Sequence, residues 1–200
     1  LGHFKANALL KAVWDSAIYP NAFGESGFST DFRVKDGKEI AISQYPYCNI
    51  LSNFRVVPDL SASAVHQGRF FYKIYYYSDI QMKRYASQGY YDLDVINGID
   101  FNSPYDVNNY LDQFKEQAKE QSYASAETGY ATIVDGYAYL DPEGNGPTLY
   151  NIAWEYSSGN ILRAKEVKNS HGKIPVVGGC MMVKPETLFG ISPLEMIYYQ

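Results

Sequence analysis

Two hundred residues, 46% hydrophobic and 20% charged, exclude a generally disordered chain and supply the apolar material for one globular domain over 1–200. The 17 basic and 22 acidic side chains are scattered and sum to −5, so there is no basic stripe to neutralise phosphates, and nucleic acid is not an expected partner. No run of 18 or more apolar residues occurs, so membrane attachment is expected only through segments outside this chain.

The first element is an amphipathic helix. Leu10, Val13, Trp14, Ala17 and Ile18 repeat at helical spacing and Pro20 follows as a stop. DFRVKDGKEIAIS then alternates on either side of Asp36-Gly37, which predicts a hairpin over 31–44. The stretch from Tyr45 to Gly68 has no clean period and reads as irregular, with a short strand near Phe54–Val57. It contains Cys48, which with Cys180 makes up the whole cysteine content. The two are read either as one disulfide or as two buried thiols.

GRFFYKIYYYSD, residues 68–79, reads as a strand over Phe70–Tyr77. Side chains alternate across a strand. One face therefore carries Phe70, Tyr72, Ile74 and Tyr76 and suits a core, while the other carries Phe71, Lys73, Tyr75 and Tyr77 and suits a half-wet surface. A second helix is predicted near 103–121. Ser103 is its cap, Pro104 its first residue and Asp106 completes a capping-box-like start, with Val107, Tyr110, Leu111, Phe114 and Ala118 as the buried stripe. GYATIVDGYAYL, TLYNIAWEY, NILRAKEV and IPVVGGCMMV follow as strands of a meander, separated by DPEGNGP, SSG and NSHGK. The expected core is one cluster built from Leu10, Val13, Trp14, Phe70, Ile74, Val107, Leu111, Phe114 and Trp154.

This order gives an α+β fold, an antiparallel sheet with helices on one side. In topology it resembles the PAS-like extracytoplasmic sensor modules of bacterial signalling proteins. That resemblance implies an exported sensory or small-ligand-binding domain.

Signatures of chemistry are few. Asp141, Glu143, Asn145 and Gly146 copy the start of a calcium loop, but Ile152 stands where the bidentate acid belongs, so DPEGNG reads as a turn. His3, His66 and His171 are isolated, and no zinc or haem spacing is present, so no metal or cofactor is expected. Nucleophile-elbow, phosphate-loop and dinucleotide fingerprints are missing, Cys48 reads as structural, and Asp92 with Asp94 reads as a solvated acidic edge. None of these signatures points to an enzyme, and the reading leans against one without closing it.

What remains is a cation among aromatic plates: Tyr72, Lys73, Tyr75, Tyr77 and, just beyond, Arg84. Such a group can hold a carboxylate-bearing small molecule, or join like subunits. Twenty tyrosines against four methionines and a start without methionine suit an extracytoplasmic setting. The two functional expectations are a sensory or ligand-binding domain and a structural subunit of an extracellular filament or virion assembly.

Overall fold

The computed structural model describes residues 2–35, 38–101, 129–168, 171–182, 184 and 186–198. In chain order its elements are α1 (Gly2–Ile18), β1 (Ala22–Lys35), β2 (Lys38–Leu51), β3 (Val56–Pro58), β4 (Phe70–Ser78), α2 (Asp79–Ser87), α3 (Leu93–Asn97), β5 (Tyr130–Leu140), β6 (Thr148–Glu155), β7 (Ile161–Glu166), β8 (Val176–Gly179) and α4 (Pro193–Tyr198). Short 3-10 turns lie at Asn53–Arg55 and Val65–Gln67. The fold is α+β with two antiparallel sheets, ordered β2-β1-β8 and β3-β4-β5-β6-β7. Among the described residues no helix is long and apolar enough to cross a membrane. The predicted helix over 103–121 lies outside the described residues. The strand orders lend no support to the PAS-like resemblance.

The chain divides into two compact units. The first comprises Leu1–Asn53, Asp59–Gly68 and Pro175–Gln200. Its centre is β1, which pairs with β2 from Phe23 opposite Leu51 out to Lys35 opposite Lys38. The predicted hairpin is thus extended at its base, while Asp36 and Gly37 themselves lie outside the described residues. Phe23 and Val176 are fully buried, and Asn21 ties the start of β1 to the chain's end through both amide atoms. Its Nδ2 donates to the Leu188 carbonyl at 2.6 Å and its Oδ1 accepts from the Gly190 N–H at 3.0 Å.

Two expectations are corrected in this unit. IPVVGGCMMV does not extend the meander, because β8 pairs with Ala22–Glu25 of β1. Nor does α1 bury its large apolar residues: Leu10 is 67% exposed, Trp14 69% and Val13 47%. Ser16 is buried and Ala8 and Ala12 half-buried, so the stripe at i, i+4 and i+8 that faces inward is the small one. α1 packs on both β1 and β2, with Lys11 Nζ 3.4 Å from the Ile50 carbonyl. Small side chains permit that close approach, and the bulky face is left outside.

The second unit, Phe54–Pro58 and Arg69–Ile174, is the five-stranded sheet with α2 and α3. Ser78 ends β4 and caps α2: its Oγ accepts from the Gln81 N–H, and Gln81 Oε1 accepts from the Ser78 N–H at 3.0 Å. That capping box turns the chain back over the sheet. Met82 of α2 and Ile96 of α3 then close a core over Ala131, Ile133, Ala153 and Leu162. Ile74 is buried as expected, whereas Phe70 and Trp154 are half-buried.

Candidate functional site

β4 alternates as its sequence requires, but the face expected to be half-wet is buried as well, while the expected core face keeps only Ile74 fully covered. The face of Phe71, Lys73, Tyr75 and Tyr77 is the one covered by α2 and α3, with Phe71 wholly buried and both tyrosines packed against the core. On the other face Phe70, Tyr72 and Tyr76 are half-exposed. Tyr72 stacks on Phe70 at 5.2 Å between centroids and meets Trp154 edge-on at 5.0 Å. This packing depends on Gly136, directly opposite Tyr72, where a Cβ would collide with the Phe71 carbonyl and the Tyr72 Cα.

The five residues singled out from the sequence do not converge. Lys73, Tyr75 and Tyr77 share a face, Tyr72 lies on the opposite one, and Arg84 is exposed on α2. Lys73 is only 7% exposed, its Nζ 5.8 Å from the Tyr75 ring centroid and 5.6 Å from that of Tyr137. In register it faces Asp135, and the row continues through Ala153 to Arg163. Ala153 is small enough for the Arg163 guanidinium to reach across it, and Nη2 meets Asp135 Oδ1 at 2.7 Å. Asn151 Nδ2 donates to the same carboxylate oxygen at 3.3 Å.

The sequence reading missed Asp135, Tyr137 and Arg163. Their signal was parity, since Asp135 and Tyr137 sit two and four positions after the core residue Ile133 and must point the same way. On this face Lys73 and Arg163 are offset by Asp135 and the buried Glu155, one row further along. Among the described residues the buried and half-buried charges of this face balance, and Lys165, opposite Asn151 on the same face, is exposed. Burial alone would raise the Glu155 pKa, but hydrogen bonds from the side chains and backbone of Ser157 and Ser158 outweigh it and hold the carboxyl below its ordinary value.

The tyrosines form a continuous aromatic path: Tyr75 stacks on Tyr77 at 5.4 Å, Tyr77 meets Tyr85 at 5.1 Å, and Tyr85 meets Tyr91 at 5.7 Å. The Arg163 guanidinium lies 5.5 Å from the Tyr91 centroid. Burial pushes the Tyr77 phenol strongly upward, with Tyr91, Tyr85 and Tyr75 adding to the effect. Burial raises Tyr91 too, helped by the Asp135 carboxylate and opposed by Arg163. Both remain neutral plates at ordinary pH. Asp92 and Asp94, read as an acidic edge, are both exposed, and Asp92 also caps α3 by accepting from the Asp94 N–H at 2.9 Å. DPEGNG lies in the β5–β6 connection, where Gly144 and Gly146 take positive φ. Among the described residues no group of three or more His, Cys, Asp or Glu is placed to hold a metal.

The first unit offers two other surfaces. Among the described residues β2 is an edge strand, β8 pairs with β1 as far as Glu25 and the Ser26 N–H donates to the Pro175 carbonyl at 3.3 Å, so from Gly27 opposite Tyr47 outward the described sheet is two strands wide. Its register shifts between Asp31 and Phe32, leaving Ile42 as the extra residue of a bulge. Consecutive residues Ile42, Ser43, Gln44, Tyr45 and Pro46 are all exposed, so both faces of β2 are wet over 42–46. At its base lies an apolar cavity of about 320 Å³, walled by Val13 and Ser16 of α1, Phe23 and Gly24 of β1, Ile50 of β2 and Val177 of β8, with Cys180 at its margin.

Cys48 and Cys180 are both free thiols. They flank β1 from opposite sides, Cys48 facing Ser26 and Cys180 following the Gly179 that faces Ala22. Strand spacings of ~4.8 Å across and ~3.3 Å per residue along place them well beyond bridging reach. The disulfide considered from sequence is therefore not formed. No protein-family model matches this sequence, and no curated protein does either.

Proposed function

We propose that this chain is a structural subunit of a multi-copy assembly, an extracellular filament or a virion shell, in which the β1–β2 arm lies against a neighbouring copy. The observation that carries this reading is the two-strand width of the arm beyond Ser26 among the described residues. An isolated two-stranded hairpin is marginal in water, and a run of about ten residues on each side spans ~33 Å. Open backbone edges of that length are templates for another strand. Pro46, in the edge strand, has no N–H to leave unpaired there. Among the described residues of the second unit the buried charges balance and the tyrosines pack on each other.

The sensory or small-ligand reading, placed first by the sequence, comes second here, supported by the 320 Å³ apolar cavity, which falls in the size range of small-molecule sites. Light scattering coupled to sizing, with negative-stain imaging, separates the two. The assembly reading expects a large, concentration-dependent species, and loss of it when residues 29–45 are replaced by a two-residue Asn-Gly turn. A monomer at every accessible concentration, or a truncated arm that leaves the mass unchanged, overturns it.

A further inference from the structure

The chain holds two Asn-Gly pairs, Asn97-Gly98 and Asn145-Gly146. In such a pair the backbone nitrogen of the glycine can attack the side-chain amide carbon of the asparagine before it, because glycine has no side chain to hinder the approach. The reaction is intramolecular, so its rate depends on whether the backbone lets the two atoms meet. We propose that Asn145 is a modification site, an asparagine that deamidates in the folded protein through a cyclic imide with Gly146, while Asn97 is protected by its place at the end of α3.

Asn97 is the last residue of α3, and the Gly98 N–H, which would have to become the nucleophile, already donates to the Val95 carbonyl at 3.1 Å. The next N–H, that of Ile99, donates to the Ile96 carbonyl at 3.1 Å, and Ile96 is anchored in the core of the second unit. Reaction there first requires the end of α3 to open, a local unfolding that breaks both bonds. Asn145 sits in the opposite setting. DPEGNGP, residues 141–147, lies beyond the last pair of the β5–β6 ladder, Leu140 opposite Thr148, and all of it is exposed except the half-buried Gly146. Gly146 has φ of 111°, and the space where a Cβ would stand is open to 4 Å. Among the described residues no hydrogen bond engages the Gly146 N–H. The Asn145 side chain has one tether, Nδ2 donating to Glu143 Oε2 at 3.1 Å between two exposed residues, a bond that water readily replaces.

The steps balance with water as the one co-reactant. Base removes the Gly146 amide proton, the nitrogen bonds to Asn145 Cγ, the Cγ–Nδ2 bond breaks, and Nδ2 takes a proton from water and leaves as ammonia. Water then opens the imide at one of its two carbonyls, giving aspartate, or isoaspartate where the main chain is rerouted through the side chain. Nothing is oxidised or reduced. Each event adds one negative charge to a chain that carries −5, in a turn that already holds Asp141 and Glu143. Because the ladder ends at Leu140 and Thr148, β5 and β6 stay paired.

The test ages the intact protein in warm, mildly alkaline buffer and follows both pairs by peptide mass mapping, with isoaspartate-specific enzymatic methylation as a second readout. The peptide containing Asn145 is expected to convert at least ten times faster than the one containing Asn97, faster still as pH rises, with a more acidic band accumulating on isoelectric focusing. In concentrated urea the two rates should come together, because α3 no longer protects Asn97. Gly146→Ala should slow conversion at Asn145 several-fold, and circular dichroism checks that this variant is folded. Equal rates for the two pairs in the folded protein overturn the proposal, as does an Asn145 that converts only in urea. A Gly146→Ala protein that deamidates at the parent rate removes the imide route and the proposal with it.

Discussion

Arg163→Met removes one partner of a pair that is 2.7 Å apart with side chains only 12% and 14% exposed. Breaking a buried pair from one side costs ~3–5 kcal/mol, mostly because the surviving charge is left without compensation. Here the low end applies, about 3 kcal/mol, since the Asn151 amide stays 3.3 Å from the Asp135 carboxylate and Lys73 faces it in register. Arg163 Nε, buried with no hydrogen-bond partner among the described residues, gives back some desolvation cost when it goes. The two tryptophans fall one in each unit, so urea unfolding followed by Trp154 fluorescence in a Trp14→Phe background reports the second unit alone. Adding Asp135→Asn to Arg163→Met is expected to recover at least half the loss, because the orphaned charge is then neutral. A cost below ~1 kcal/mol would mean that water screens the pair as it does a surface ion pair. Simple additivity of the two substitutions would refute the coupling.

Three further outcomes follow from the same unit. Gly136→Ala should cost ~3 kcal/mol, the upper end of the overpacking range, because the new methyl meets the backbone of Phe71 and Tyr72 and no flexible side chain can yield; chemical denaturation measures it. The lowered Glu155 pKa gives stability that is present above the ordinary carboxylate value of 4.5 and is lost as pH falls through the lower folded value. Acid titration of Glu155→Gln should therefore show a shallower decline below that point than the parent. Tyr77 and Tyr91 are raised, so their contribution is complete below pH 10 and is lost as pH climbs toward their folded values. The slope should be steep, up to about 1.4 kcal/mol per pH unit for each. Tyr77→Phe should flatten it, as read by melting temperature at successive pH values.

The elements were legible where a local signal agreed with the packing. Alternation about Asp36-Gly37 located the β1–β2 hairpin, and the parity of residues 70–77 gave the correct partition of β4 into two faces. Which face would be covered was not legible from β4 alone. The cover comes from α2, and the Ser78–Gln81 capping box that turns it back begins one residue past the stretch on which the faces were judged. The phase of α1 failed for a related reason. Large apolar side chains at helical spacing were read as the buried stripe, whereas helix-to-sheet contact needed the small stripe of Ala8, Ala12 and Ser16. The outward bulk of Leu10 and Trp14 is then a surface property of the first unit and not an error of folding.

Lys73 shows how one residue can satisfy a sequence argument and still carry a different meaning. An ammonium among tyrosines was taken as a sign of water or a ligand, because an uncompensated buried charge is costly. Compensation came from residues more than sixty positions away: Asp135 faces Lys73 across the β4–β5 ladder, and Tyr137 offers a second aromatic plate opposite Tyr75. Antiparallel pairing is what brings them together, and it fixes their side as firmly as their distance. A lysine that alternates with apolar residues in one strand therefore asks whether a carboxylate stands at matching parity in the next. In this chain GYATIVDGYAYL contains that carboxylate, flanked by the alternation that would have revealed it. The proposed assembly therefore rests on the arm, whose strand edges are open among the described residues, and not on the face of β4 that α2 and α3 have already covered.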